Sequence, residues 1–266
     1  MKQARIIAVT NNKGGVGKTT TVATIGAILA SKGYKVLLID LDSSRNLTIS
    51  FMSEEREKNI HSALTGPKTA TNLNGIIVHG EEFDNPVENL DLIPSSEEMT
   101  SLEGTLMTRL SRETYLQKVI RALNLEFKYD FILIDCPPSL GLTTVLGLTA
   151  CTEVLIPTAP EVLPLEGLKQ LERKLEQVAE ELNPDVSNFS ILLTRYNSSR
   201  NLDASVFRSL VENYGKKVLT TVIRQCVSLA EAPLSKSSIL NYAPSCNGTI
   251  DYMAVTGELL SRWKQD

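Results

Sequence analysis

The chain has 266 residues, 42% of them hydrophobic and 22% charged, and carries a net charge of −4. That length and apolar content suffice for one substantial core, so a single domain spanning residues 1–266 is expected, and the slightly acidic balance excludes a global electrostatic pull toward nucleic acid. Four scattered cysteines without Cys-x-x-Cys spacing, with only two histidines, exclude a zinc-site pattern and leave reduced thiols as the expectation.

The first strand is expected over 5–10, because the apolar run Ile6 to Val9 begins within a few residues of the N-terminus. That leaves no room for a signal peptide, and no apolar run reaches bilayer length, so a cytoplasmic protein without a stable membrane anchor is expected. Next comes Lys13-Gly14-Gly15-Val16-Gly17-Lys18-Thr19-Thr20, followed by a helical pattern. A buried strand whose glycine-rich turn opens a helix wraps backbone N–H groups around phosphates. Gly14, Gly15 and Gly17 let a phosphate approach where a Cβ would intrude. Lys18 is placed to neutralise the β- and γ-phosphates, Thr19 to offer a hydroxyl to Mg²⁺, and Thr20 to reach the α-phosphate. The strict pattern wants glycine where this chain has Asn12, and a second lysine, Lys13, opens the loop instead.

A second strand over 35–40 leads to Ile39-Asp40-Leu41-Asp42. Residues 43–88 are polar and read as loops with one or two short helices, the run Glu54-Glu55-Arg56-Glu57-Lys58 forming a solvated helix face. Leu90 to Pro94 can add a strand. The run Phe131 to Ile134 leads to Asp135-Cys136-Pro137-Pro138. Further strands are expected near 153–157, 189–194 and 218–223. After Pro164, the residues Leu165, Leu168, Leu171, Leu175, Val178 and Leu182 recur at helical spacing, giving an amphipathic helix that faces the core or a partner. In the C-terminal stretch, Met253, Leu259, Leu260 and Trp263 lie among mixed charges, which favours docking on the core over a membrane surface.

Strands alternating with helices imply an α/β fold with a doubly wound, mostly parallel twisted β-sheet flanked by helices on both faces. In such a sheet ligands bind at the carboxyl ends of the strands, so Asp40, Asp42 and Asp135 should converge on the glycine loop. There one aspartate can hold a Mg²⁺-bound water and another can orient the water that attacks a γ-phosphate.

The loop, the strand end Leu37 to Asp42, the segment Ile134-Asp135-Cys136-Pro137-Pro138-Ser139-Leu140-Gly141, the run Glu166-Gly167-Leu168 and Leu229-Ala230-Glu231-Ala232-Pro233 together resemble the ParA/MinD family of deviant P-loop ATPases, closer to the ParA branch. The likeness runs through nearly the whole chain. It implies a P-loop NTPase-like fold, ATP and Mg²⁺ as cofactors, and a homodimer formed in ATP in which Lys13 reaches the partner's nucleotide. By the same resemblance, Lys18 and Thr19 hold phosphates and Mg²⁺, Asp42 positions the attacking water, Asp40 is its companion near the metal, and Asp135 binds Mg²⁺ through water. Partitioning of plasmid or chromosomal DNA is the implied role. It carries with it non-specific DNA binding by the ATP dimer, a ParB-like activator and nucleoid association; a MinD-like membrane-cycling ATPase is the alternative.

The chain departs from the family pattern in two places: Ser43-Ser44-Arg45 stands where relatives commonly have Pro-Gln-Gly, and Ile223 to Ser228 lacks the usual proline followed by arginines. DNA-contact candidates are therefore named only by clustering: Arg195, Arg200, Arg208, Lys216, Lys217 and Arg224.

Overall fold

Short apolar runs too continuous to alternate with polar residues form strands covered on both faces. In the computed structural model, which describes residues 3–67, 73–160 and 164–264 except for the side chains of 164–166, six strands form one sheet. They are β1 (Arg5–Val9), β2 (Val36–Asp40), β3 (Leu90–Ile93), β4 (Phe131–Asp135), β5 (Glu153–Thr158) and β6 (Phe189–Leu193). Their spatial order is β3-β2-β4-β1-β5-β6, and every neighbouring pair is parallel. The Leu165 and Glu166 side chains singled out from the sequence lie outside the described part.

Successive residues of each strand feed opposite layers, as a pleat requires. Ile6, Ala8, Leu37, Ile39, Ile132 and Ile134 belong to one apolar cluster, while Ile7, Val9, Val36, Leu38, Phe131 and Leu133 belong to the other. Helices Tyr115–Ala122, Leu142–Ala150 and Pro164–Glu181 cover the first face, and helices Lys18–Ser31 and Asn247–Arg262 cover the second. The α/β, P-loop NTPase-like architecture expected from the alternating pattern is the one formed.

The amphipathic helix after Pro164 turns Leu168, Leu171, Leu175 and Val178 into the core. Leu182 falls beyond its last turn and is 39% exposed. The C-terminal helix docks on the chain's own second layer: Tyr252 donates or accepts a hydrogen bond with Thr21 at 2.9 Å, and Trp263 stacks beside Phe131 with the Arg5 guanidinium over its ring. No helix among the described residues is long and apolar enough to cross a membrane.

Two expectations are corrected. The run 54–58 is not helical; it lies in a loop, where Arg56 pairs with Glu82 at 3.1 Å and Glu55 pairs with Arg45. The segment 218–223 is not a seventh strand. It follows β6, with Leu219 N–H donating to Ile191 and Ile223 N–H to Leu193, but Thr220 and Thr221 donate their N–H groups to the Glu258 carboxylate at 2.9 and 3.0 Å. A side-chain acceptor from the C-terminal helix thus draws the two adjacent amides to one side, where a strand would turn them to opposite edges and give that of Thr221 to β6.

Candidate nucleotide-binding site

β1 ends in the glycine loop, and the sheet order sets β4 beside it and β2 beside β4. Registration is direct: Val9 and Asp40 are both paired with Asp135. The loop and the aspartates named from the sequence therefore meet at one edge.

The loop is held from several sides. Asn11 donates its amide to the Pro157 carbonyl at 2.8 Å and accepts from Lys13 N–H. Thr194 donates its hydroxyl to the Val16 carbonyl at 2.9 Å, and Arg195 donates to the Gly15 carbonyl at 3.0 Å. Gly15 and Gly17 have φ of 73° and 85°, a region that costs other residues roughly 1–2 kcal/mol. Lys18 folds back to donate to the Lys13 carbonyl at 2.9 Å. Burial pushes the Lys18 ammonium below its ordinary pKa, and Asp135 and Asp42 push it back up. With no acidic residue in its first turn, the helix Lys18–Ser31 presents unopposed N–H groups where an anion would sit.

The Thr19 hydroxyl donates to Asp135 Oδ2 at 2.7 Å, while Asp135 Oδ1 is buried with no partner. A buried carboxylate oxygen without a donor is costly, and a cation with its water shell would satisfy it. These donors fit Mg²⁺. Asp40 is placed differently. Its Oδ1 accepts from Asp42 N–H, and its Oδ2 accepts from both the Thr48 N–H and hydroxyl, so both oxygens brace the turn after β2. Asp42 is half-buried; it accepts from Ser44 N–H, and its carbonyl accepts from the Ser95 hydroxyl at 2.7 Å. Lys13 is also half-buried, its stem lying so close to Gly167 that a Cβ there would come within 3.2 Å of the lysine Cε.

Burial raises both carboxyls, Asp40 to about 6 with added repulsion from Asp42, and Asp135 well above the usual range with added repulsion from Asp40 and Asp42. A raised carboxyl takes up protons on folding, so its ionisation opposes folding. The ligand-free protein should accordingly lose stability as pH climbs from about 4 toward about 6. Asp135→Asn keeps an acceptor for Thr19 and removes one of the two charges. Its melting temperature without ligand should exceed wild type at pH 7.5 and match it near pH 4. Calorimetry at the two pH values checks this, and a lower melting temperature at pH 7.5 would contradict it.

Beside the loop lies a cleft of about 420 Å³, whose walls include Gly15, Gly17, Thr20, Thr194, Arg195 and the segment from Ile223 to Val227. Sequence reasoning missed this wall, because it gave Arg195 and Arg224 to a DNA surface. Arg224 instead grips Asp251 through hydrogen bonds of 2.7–3.1 Å, and Lys217 lies over the Phe189 ring. Arg200, Arg208 and Lys216 are exposed.

A parallel sheet whose inner strand opens into such a loop is the build of a P-loop nucleotide-binding protein. A profile described as an AAA domain matches residues 4–188, and the sporulation initiation inhibitor protein Soj of Bacillus subtilis (strain 168) is 37% identical over 257 residues, 96% of this chain and 98% of Soj. The chain belongs to the ParA/MinD family of P-loop ATPases. The chromosome partitioning protein ParA of Caulobacter vibrioides (strain NA1000 / CB15N) is 33% identical over 260 residues, 97% of this chain and 94% of that protein. Among solved structures, cobyrinic acid a,c-diamide synthase from Mycobacterium smegmatis, with bound ATP analog and magnesium, superposes with a TM-score of 0.80 at 33% identity. That match covers 98% of this chain and 96% of the other.

Proposed function

We propose that this protein is a Mg²⁺-dependent ATPase of the ParA type, a switch that dimerises in ATP and serves the partitioning of plasmid or chromosomal DNA. The observation that carries the nucleotide part is the pairing of Thr19 with one oxygen of Asp135, the other oxygen being buried and partnerless, beside a buried lysine at a helix N-terminus. Such a site suits a divalent cation riding on a polyanion.

Lys18 and the loop amides would bind the phosphates; Thr19, and Asp135 through water, would hold Mg²⁺. The ion, when bound, supplies neutralisation of charge on the phosphate oxygens. Asp42 orients the attacking water, Asp40 keeps Asp42 in place, and the nucleoside end takes the cleft beside the Ile223 to Val227 segment. Lys13 of each protomer completes its partner's site, so loss of the γ-phosphate releases the pair. The name of the Caulobacter relative, a chromosome partitioning protein, supports the partitioning reading, and non-specific DNA binding by the dimer with stimulation by a ParB-like activator belongs to this proposal.

Retention on non-specific duplex DNA should require ATP, fail in ADP, and fall steeply as salt rises. Equal retention in ADP would reject the partitioning reading. ATP-dependent sedimentation with anionic liposomes in place of DNA would favour a MinD-like role. Turnover that required a second, carboxylic acid substrate would favour amide synthesis.

A further inference from the structure

The segment from Arg224 to Leu229 is fastened to the C-terminal helix at two points. Arg224 holds Asp251, and Leu229 packs on Gly248, where any Cβ would come within 2.7 Å of the leucine side chain. Cys226 stands between these fastenings and lines the cleft beside the glycine loop. Cys246 caps the helix Asn247–Arg262, its sulfur accepting from Thr249 N–H at 3.4 Å. The Arg224–Asp251 and Leu229–Gly248 contacts bring the two cysteine-bearing segments together, the Cys226 thiol acts on the ionisation of Cys246, both cysteines are half-buried, and neither is in a disulfide. The other two cysteines, Cys136 and Cys151, lie in the core, where burial pushes their thiols up and shields them from solutes. For Cys246 burial pushes up too, but the hydrogen bonds with Thr249 and the nearby Cys226 thiol outweigh it and leave the thiol below its ordinary range. Thiolate character together with partial access is what makes a cysteine oxidisable.

We infer that Cys226 and Cys246 form a dithiol site whose substrate is a peroxide, and that the resulting disulfide ties the cleft wall to the C-terminal helix and slows nucleotide exchange. The exchange clause rests on the nucleotide reading above; bond formation does not. The Cys246 thiolate attacks one oxygen of hydrogen peroxide, the O–O bond breaks, and hydroxide leaves as a sulfenic acid forms. The Cys226 sulfur then displaces the sulfenic hydroxyl, giving the S–S bond, and its proton leaves with that hydroxyl as water. In total two thiols and one peroxide become one disulfide and two waters, with two electrons passing from sulfur to oxygen. Backbone hydrogen bonds of Ile223 to Leu193 and of Gln225 to Tyr196 tie the wall to the sheet side, whereas its ties to the C-terminal helix are the Arg224–Asp251 bonds and the Leu229 contact, which can open locally; a covalent link to that helix suppresses the opening.

The test treats the full chain with hydrogen peroxide, alkylates it, digests it with trypsin without reductant and applies mass spectrometry. The expected product joins peptides 225–236 and 237–262 and is undone by dithiothreitol. Release of a fluorescent ADP analogue should be about tenfold slower after oxidation, a modest share of what a cross-link costs local opening, and should recover on reduction. Cys246→Ser keeps a helix-capping oxygen and should make release insensitive to peroxide. Absence of the joined peptide, or joining only between separate chains, overturns the dithiol site. An unchanged release rate in protein shown to be cross-linked overturns the coupling to the cleft. If the reduced protein binds no analogue, the nucleotide reading falls, and the dithiol site stands or falls by the joined peptide alone.

Discussion

Lys13→Ala should lower ATP turnover by about 10³-fold or more, the scale of a cation supplied in trans to a phosphoryl-transfer site, while nucleotide affinity falls by less than about tenfold. The contrast arises from how the residue is held. Its N–H is fixed by Asn11 and its carbonyl by Lys18, and both hydrogen bonds survive loss of the side chain. The phosphate nest therefore keeps its shape, and only the ammonium at the end of the stem beside Gly167 is removed. Lys18→Ala, by comparison, removes the loop's own cation together with the hydrogen bond that fixes the Lys13 carbonyl, and should lose binding as well. Single-turnover phosphate release and calorimetric titration separate the two effects. Wild-type turnover in Lys13→Ala would remove Lys13 from the mechanism.

A dimer that persists in ATP is the expected outcome for Asp42→Ala, with hydrolysis reduced by about 10²–10⁴-fold, the usual contribution of a group that orients or deprotonates an attacking water. The main chain at this position is anchored at both ends, by Asp40 on the N–H and by Ser95 on the carbonyl, so alanine keeps the turn. What alanine takes away is the side-chain acceptor for the Ser44 N–H, a hydrogen bond worth about 1 kcal/mol at an exposed site. Light scattering through a sizing column in ATP reads the assembly directly. Rapid return to monomers would mean that Asp42 does not gate hydrolysis.

Much of the fold and the phosphate site is legible in the sequence because the signals are local. An apolar run followed by glycines or by an aspartate declares a buried strand and what stands at its end, and parallel alternation then forces those ends together. What escapes is decided by partners far away in sequence. Segment 218–223 has the composition of a strand, yet Glu258 takes two of its amides. Arg224 has the look of a free cation until Asp251 is placed beside it. The resemblance sets Asp40 near the metal, but the Thr48 N–H and hydroxyl and the Asp42 N–H claim both of its oxygens for the turn. Residues 54–58 have helical charge spacing but bury too little to hold a helix, and their arginine and glutamate pairs settle in a loop instead.

The hydrogen bond between Thr21 and Tyr252 ties the helix that opens from the glycine loop to one translated more than two hundred residues later. During synthesis the glycine turn leaves the ribosome without the wall that completes its cleft. A nascent chain stalled before Ile223 should thus bind nucleotide more weakly than the full chain, and the site is whole only once the helix Asn247–Arg262 has folded over the glycine loop.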